Sequence, residues 1–227
     1  MVSEKRKIKI SLTINIIIVL FTILASIIMF TGFKFMEGDL VLESTKIGMF
    51  RFFTVDSNIF MGIVAIIFSI KEIELIKDKI TSIPSKIYIL KLIATVGVAL
   101  TFAIVFGYLG PIAKGGIPSM IKNSNLFFHL LIPLLSILNF IIFERTDKIR
   151  FKSTFIGTIT AVIYGIYYLI NVLIHMEDGR VSTIYDWYWF VQGGVWQAII
   201  VIPLVLGITY AISVLLWRFN RVKNKTI

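Results

Sequence analysis

A hydroxyl becomes a nucleophile only when a base takes its proton. Thr54 and His129 are the residues whose types and placement could form that minimal pair. The stretch RFFTVDSN (51–58) puts Thr54, Asp56, Ser57 and Asn58 at the mouth of a very apolar segment, and NLFFHLLIP (125–133) does the same for Asn125 and His129. The chemistry such a pair supports is acyl transfer. Thr54 attacks a carbonyl, His129 accepts the hydroxyl proton, and water or another acceptor resolves the acyl-threonine. Asn58, one turn on from Thr54, could donate to the developing oxyanion. Asn125, His175 or Asp186 could orient the imidazole. A purely structural reading of the same residues stands beside this one. Threonines in apolar helices commonly bond their own backbone, and a histidine can bridge helices.

Other chemistries have less to stand on. The chain has two histidines and no cysteine, which removes disulfides, zinc–thiolate sites, iron–sulfur clusters and a cysteine nucleophile. A catalytic zinc takes three protein ligands, so His129 and His175 would need Asp56 or Asp186 to complete a set. No metal and no cofactor is expected. There is no G-x-S-x-G serine motif, no H-E-x-x-H and no pair of glutamates within one apolar run. A retinal Schiff base would need a lysine at mid-depth, whereas Lys91 lies near one end of its run.

The elements that must carry these residues are transmembrane helices. The chain is 57% apolar and 16% charged, with a mean hydropathy of +0.90, against roughly 25% charged in soluble domains. A crossing helix needs about 20 mostly apolar residues. Six runs qualify: 10–33, 52–70, 87–109, 126–143, 154–174 and 195–217. They use most of the 227 residues, so the expectation is one all-α domain, 1–227, a polytopic bundle of six transmembrane helices. The first run is too long for a signal-peptide core and reads as an uncleaved helix. The formal charge of +10 is a topology signal and not a nucleic-acid footprint. Seventeen of the Lys and Arg residues fall in the N-terminal tail, in loop 71–86 with the nearby Lys91, in loop 144–153 and in the C-terminal tail, against six in the alternate loops. By the positive-inside rule both termini are cytoplasmic, and the expected location is the cell membrane, as a multi-pass protein.

With that topology the polar groups agree on depth. Thr54, Ser57 and Asn58 open helix 2, Asn125 and His129 open helix 4, and Asn171 and His175 end helix 5. Tyr108 ends helix 3, and Gln197 starts helix 6 on the same outer side. Spacing also groups them. At 100° per residue Thr54, Ser57, Asn58, Met61, Gly62, Ala65 and Ser69 share one helix face. Asn125, His129, Pro133, Ser136 and Asn139 form a second stripe, Tyr164, Tyr168, Asn171 and His175 a third, and Gly97, Thr101 and Tyr108 a fourth. Unsatisfied polar groups in hydrocarbon cost several kcal/mol each, so these faces turn inward onto a shared pocket. Asp56 lies on another face, favoured by the positive helix N-terminus. The Gly/Pro-rich loop 109–125 and the loop 175–194, with YDWYWF (185–190) as an interfacial aromatic cluster, are placed to roof the pocket.

The residues also resemble a family. RFFT (51–54) opening helix 2 looks like the (K/R)-F-x-T entry of the androgen-induced and androgen-dependent TFPI-regulating membrane proteins and their bacterial six-helix relatives. NLFFHLLIP is similar to that family's histidine-bearing helix, and the tyrosine-rich helix 5 followed by YDWYWF resembles its aromatic loop. The animal members hydrolyse fatty-acid esters of hydroxy fatty acids with an intramembrane threonine and histidine. The resemblance therefore implies Thr54 as nucleophile, His129 as base, and a membrane lipid or fatty-acid ester as substrate. The His–Pro spacing is shorter here, and TVDSN is more polar than the animal counterpart. Ser57, Asn58, Asn125, Asn171, His175, Tyr108 and Tyr168 are the supporting pocket residues. Two rivals remain: a small-solute or lipid binding and transport protein without covalent chemistry, and a non-enzymatic partner subunit.

Overall fold

The computed structural model describes residues 4–37, 44–191 and 194–222. Six long helices dominate: α1 (Glu4–Thr31), α2 (Phe53–Ile76), α3 (Ser85–Ile112), α4 (Leu126–Phe143), α5 (Ser153–Ile174) and α6 (Val195–Asn220). All but α2 are long and apolar enough, by length and composition, to cross a membrane. Among the described residues the strand content is one hairpin of two short strands, Met176–Glu177 with Arg180–Val181. Large apolar side chains such as Leu20, Ile27, Ile163, Ile170, Ile200 and Leu204 are exposed around the outside, the arrangement that lipid as solvent favours. The expected first run began at residue 10. The helix instead starts at Glu4 and takes the basic residues Lys5, Arg6, Lys7 and Lys9 into its first turns. Two of the basic residues assigned to the C-terminal tail, Lys223 and Lys225, lie outside the described residues.

The inner faces are polar where spacing placed them. Ser57, Asn58, Met61, Ala65 and Ser69 of α2 are buried, as are Asn125 just before α4 and His129, Pro133, Ser136 and Asn139 within it. α1 carries a further stripe, Ser11, Asn15, Ile18, Thr22 and Ala25. It packs tightly on α2, where a Cβ at Gly62 would sit 2.9 Å from Thr22 Cγ2. Small residues at such a crossing let two helix backbones approach.

Two helices are locally wound wide. Leu126–Leu131 and Asn139–Phe143 of α4, and Val105–Leu109 of α3, are π-helical. In that i→i+5 register Pro133, which has no N–H, leaves the Phe128 carbonyl without its helical donor. Asn58 Nδ2 replaces that donor at 3.0 Å, which ties α2 to α4. At the other end of α4, Asn220 of α6 donates from its side-chain amide to the Phe140 and Glu144 carbonyls at 2.6 and 2.8 Å.

Candidate functional site

The start of α2 is held by the loop that follows α5. Phe52 precedes the first turn in extended conformation and offers no side-chain cap. The orphan donors of a helix start need partners, and Phe53 N–H donates to the Tyr188 hydroxyl at 3.0 Å. Tyr164 donates from its hydroxyl to the Arg51 carbonyl at 2.5 Å and accepts from Trp187 Nε1 at 3.0 Å. The Arg51 guanidinium lies over the rings of Phe52 and Trp187. Thr54 is therefore fixed by a shell of aromatic side chains from α5 and loop 185–190. YDWYWF is not wholly the surface cluster expected, since Trp189 is exposed but its neighbours turn inward. Trp187 and Tyr188 are buried and join the main apolar core. The reason is that Asp186 is itself buried and accepts from Phe190 N–H at 2.9 Å, Val191 N–H at 3.0 Å and the Tyr168 hydroxyl. That carboxylate winds the loop inward. Burial pushes the Tyr188 phenol up to about 12, so it remains a neutral hydroxyl throughout the physiological range.

Thr54 occupies a boundary. On one side is an apolar cleft whose walls include Phe53, Leu100, Ile104, Tyr164, Tyr168 and Leu206. On the other is a small cavity lined by Met29, Phe52, Thr54, Val55, Asn125 and His129. Thr54 belongs to both linings. Several threonines here bond the carbonyl one turn back, as Thr22 does to Ile18 and Thr95 to Lys91, both at 2.8 Å. At the start of its helix Thr54 has no such carbonyl, and its hydroxyl makes no hydrogen bond among the described residues.

His129 sits in the π-helical part of α4 and is 2% exposed. Its Nδ1 lies 2.5 Å from the carbonyl oxygen of Met120. A carbonyl can only accept, so Nδ1 carries the proton and Nε2 presents its lone pair. Met120 ends the short helix Gly116–Met120, where carbonyls lack intrahelical donors. Loop 109–125 thus supplies the group that orients the imidazole. Sequence reasoning assigned that role to Asn125, His175 or Asp186, because a backbone carbonyl leaves no signature in residue types.

The remaining candidates divide. Asn125 lines the cavity with His129. Tyr168 lines the cleft and donates to Asp186. Ser57 lies one turn on from Thr54, donates to the Thr54 carbonyl at 3.2 Å and shares a hydrogen bond with Thr101. Asn58 does not offer a donor to an oxyanion. Its amide nitrogen is committed to the Thr54 and Phe128 carbonyls at 2.7 and 3.0 Å. Asn171 and His175 stand apart from His129 and brace the loop. Asn171 donates to the Tyr185 carbonyl at 2.8 Å, and the His175 ring stacks on Tyr185 at 3.6 Å. Tyr108 is 40% exposed. The widened π turn carries Val105 and Leu109 into the cleft and turns Tyr108 out. Gln197 donates to the Trp189 carbonyl at 3.0 Å. Among the described residues no three of His, Asp and Glu gather as a metal site.

Sequence reasoning missed a second polar centre at the far end of the bundle. Lys91 had been counted among the loop charges. It is fully buried and paired with Glu144 at 2.9 Å. No family model, curated protein or solved structure matches the chain.

Proposed function

We propose that the chain is a six-crossing membrane protein with both termini in the cytoplasm, and that it hydrolyses or transfers a lipid acyl ester. α2, with 24 residues, is the sixth crossing. It brings Thr54 to the outer-leaflet half. The observation that carries this reading is the double position of Thr54, at the wall between an apolar cleft and a small cavity that holds His129. An acyl chain gains about 0.8 kcal/mol per CH₂ buried from water, so such a substrate resides in the bilayer and enters the cleft from the side.

The reaction then follows from the residues. Thr54 Oγ1 adds to the ester carbonyl while its proton passes to His129 Nε2. The Nδ1–H bond to Met120 keeps that nitrogen unprotonated beforehand. Tyr188, a phenol in the lining of the same cleft, takes over from Asn58 as the candidate donor to the oxyanion, supported by the positive end of α2. The tetrahedral adduct expels the alcohol, which leaves with the proton from His129. Water, activated by the same imidazole, or an acceptor alcohol then releases the acid or a new ester. The resemblance of RFFT and NLFFHLLIP to the threonine lipid hydrolases points to the same two residues.

The test is covalent labelling of the purified protein by a long-chain fluorophosphonate. The wild type is expected to label, Thr54→Ala to lose labelling entirely, and His129→Gln to slow it by about 10²-fold or more, the usual worth of a general base. Full labelling of Thr54→Ala would remove the nucleophile. Absence of labelling in the wild type would favour the reading of the cleft as a site for lipid binding or transport.

A further inference from the structure

Three ionisable side chains from three helices meet at the end of the bundle opposite Thr54. Lys91 of α3, Glu72 of α2 and Glu144 just past α4 are 0%, 2% and 3% exposed. Lys91 Nζ pairs with Glu144 Oε1 at 2.9 Å and also donates to Asn15 Oδ1. The same carboxylate oxygen accepts from Asn139 Nδ2 at 2.8 Å, Asn15 Nδ2 at 3.0 Å and Ser11 Oγ at 3.4 Å. Asn15 Nδ2 reaches Glu72 Oε2 at 3.0 Å as well. The two carboxyl groups therefore share one amide nitrogen and stand no more than twice that distance apart.

This arrangement has one negative charge too many. Two carboxylates and one ammonium leave a net charge of −1 in a site closed to water, and an uncompensated charge there is strongly unfavourable. The hydrogen-bond count shows a second deficit. Glu144 Oε2 and Asn139 Oδ1 are buried acceptors with no donor among the described residues. Both deficits call for something positive that can donate.

We propose that Glu72, Glu144 and Lys91 form a proton-binding site, in which one exchangeable proton is shared by the two carboxyl groups. A carboxyl O–H cancels the surplus charge and is itself a donor. A metal cation fits less well. The hard cations take about six or more oxygen ligands, whereas the acceptors left open among the described residues are Glu144 Oε2 and Asn139 Oδ1, with an ammonium close by on Glu144 Oε1. The proton resides mainly on Glu72. Glu144 faces an ammonium and several neutral donors, whereas Glu72 makes no ion pair among the described residues. Tyr88 of α3 is the further titratable group within electrostatic reach of both carboxyl groups, and it also feels Glu4, which is exposed at the start of α1. α6 contributes the neutral Asn220. The site is separate from the reaction at Thr54 and stands whether or not that reaction occurs.

Infrared difference spectroscopy of the full chain in lipid nanodiscs, titrated from mildly acidic to alkaline pH, tests this directly. The wild type is expected to show the carbonyl stretch of a buried carboxylic acid that fades as pH rises, and Glu72→Gln to lack it. In Glu144→Gln, Glu72 becomes the sole partner of Lys91, ionises, and the band is again lost. Thermal melting supplies an independent readout. A folded state that holds one proton more than the unfolded chain loses stability as pH rises, by up to about tenfold in the unfolding constant per pH unit. Glu72→Gln is expected to flatten that slope. Absence of a titrating acid band that depends on Glu72 overturns the proposal. So does stabilisation by sodium or potassium at constant ionic strength in the wild type but not in Glu72→Gln, which would make the occupant a metal ion.

Discussion

Thr54 is a helix-start residue whose position depends on a phenol borrowed from elsewhere in the chain. Helix N-termini are normally closed by Ser, Thr, Asp or Asn at the cap. Phe52 holds that place here, and the Tyr188 hydroxyl takes the Phe53 N–H in its stead. Tyr188→Phe keeps the ring in the aromatic core and deletes the acceptor. Loss of one such bond at a buried helix start costs about 1 kcal/mol. The variant is expected to melt a few degrees lower and to label with fluorophosphonate more slowly than wild type while still labelling. Labelling at the wild-type rate would show that Tyr188 neither places Thr54 nor serves the oxyanion. Because burial pushes the phenol up to about 12, it adds no step to the pH profile of labelling near neutrality.

Helices α1 and α2 form the tightest pair, and both polar centres depend on it. α2 carries Thr54 near one end and Glu72 near the other, while α1 supplies Ser11 and Asn15 to the charged cluster and Met29 to the cavity beside His129. Gly62 faces Thr22 at this crossing, and an added Cβ would press on its methyl at 2.9 Å. Gly62→Leu forces the helices apart. Overpacking of this kind costs about 1–3 kcal/mol, and a drop in melting temperature with reduced labelling at Thr54 is expected. Pairing Gly62→Ala with Thr22→Ala makes room at the same contact, so the double variant is expected to melt closer to wild type than Gly62→Ala alone. Equal melting of the two would show that the crossing tolerates the extra volume.

Across the whole molecule, the polar centres lie at opposite ends of an apolar bundle, and the proposed topology assigns each to one side of the membrane. The chain has no cysteine, so single cysteines report topology cleanly. With an impermeant maleimide added to intact cells, Lys114→Cys and Arg180→Cys are expected to react. Lys79→Cys and Arg145→Cys are expected to react only after the membrane is opened. The reverse pattern would invert the bundle and turn the Thr54 cavity toward the cytoplasm.

Apolar run lengths were enough to place the helical elements, since each crossing must satisfy its own backbone within one segment. Polar spacing on α2 and α4 was enough to choose their inward faces, because burying Ser57, Asn58, His129 and Asn139 away from lipid is a local energetic demand. Pairing between segments was not legible. Glu72 and Glu144 lie just past the ends of two runs and Lys91 near the start of a third, and all three read as ordinary flanking charges until packing brings them to the side chain of Asn15. The orienting partner of His129 is a backbone carbonyl from a loop, and the oxyanion role given to Asn58 is displaced by a gap that Pro133 opens in the neighbouring helix. Periodicity along one chain records which side of a helix avoids lipid. Which groups then share a proton or a hydrogen bond depends on distances between helices, and those arise only when side-chain volumes from several of them are packed together.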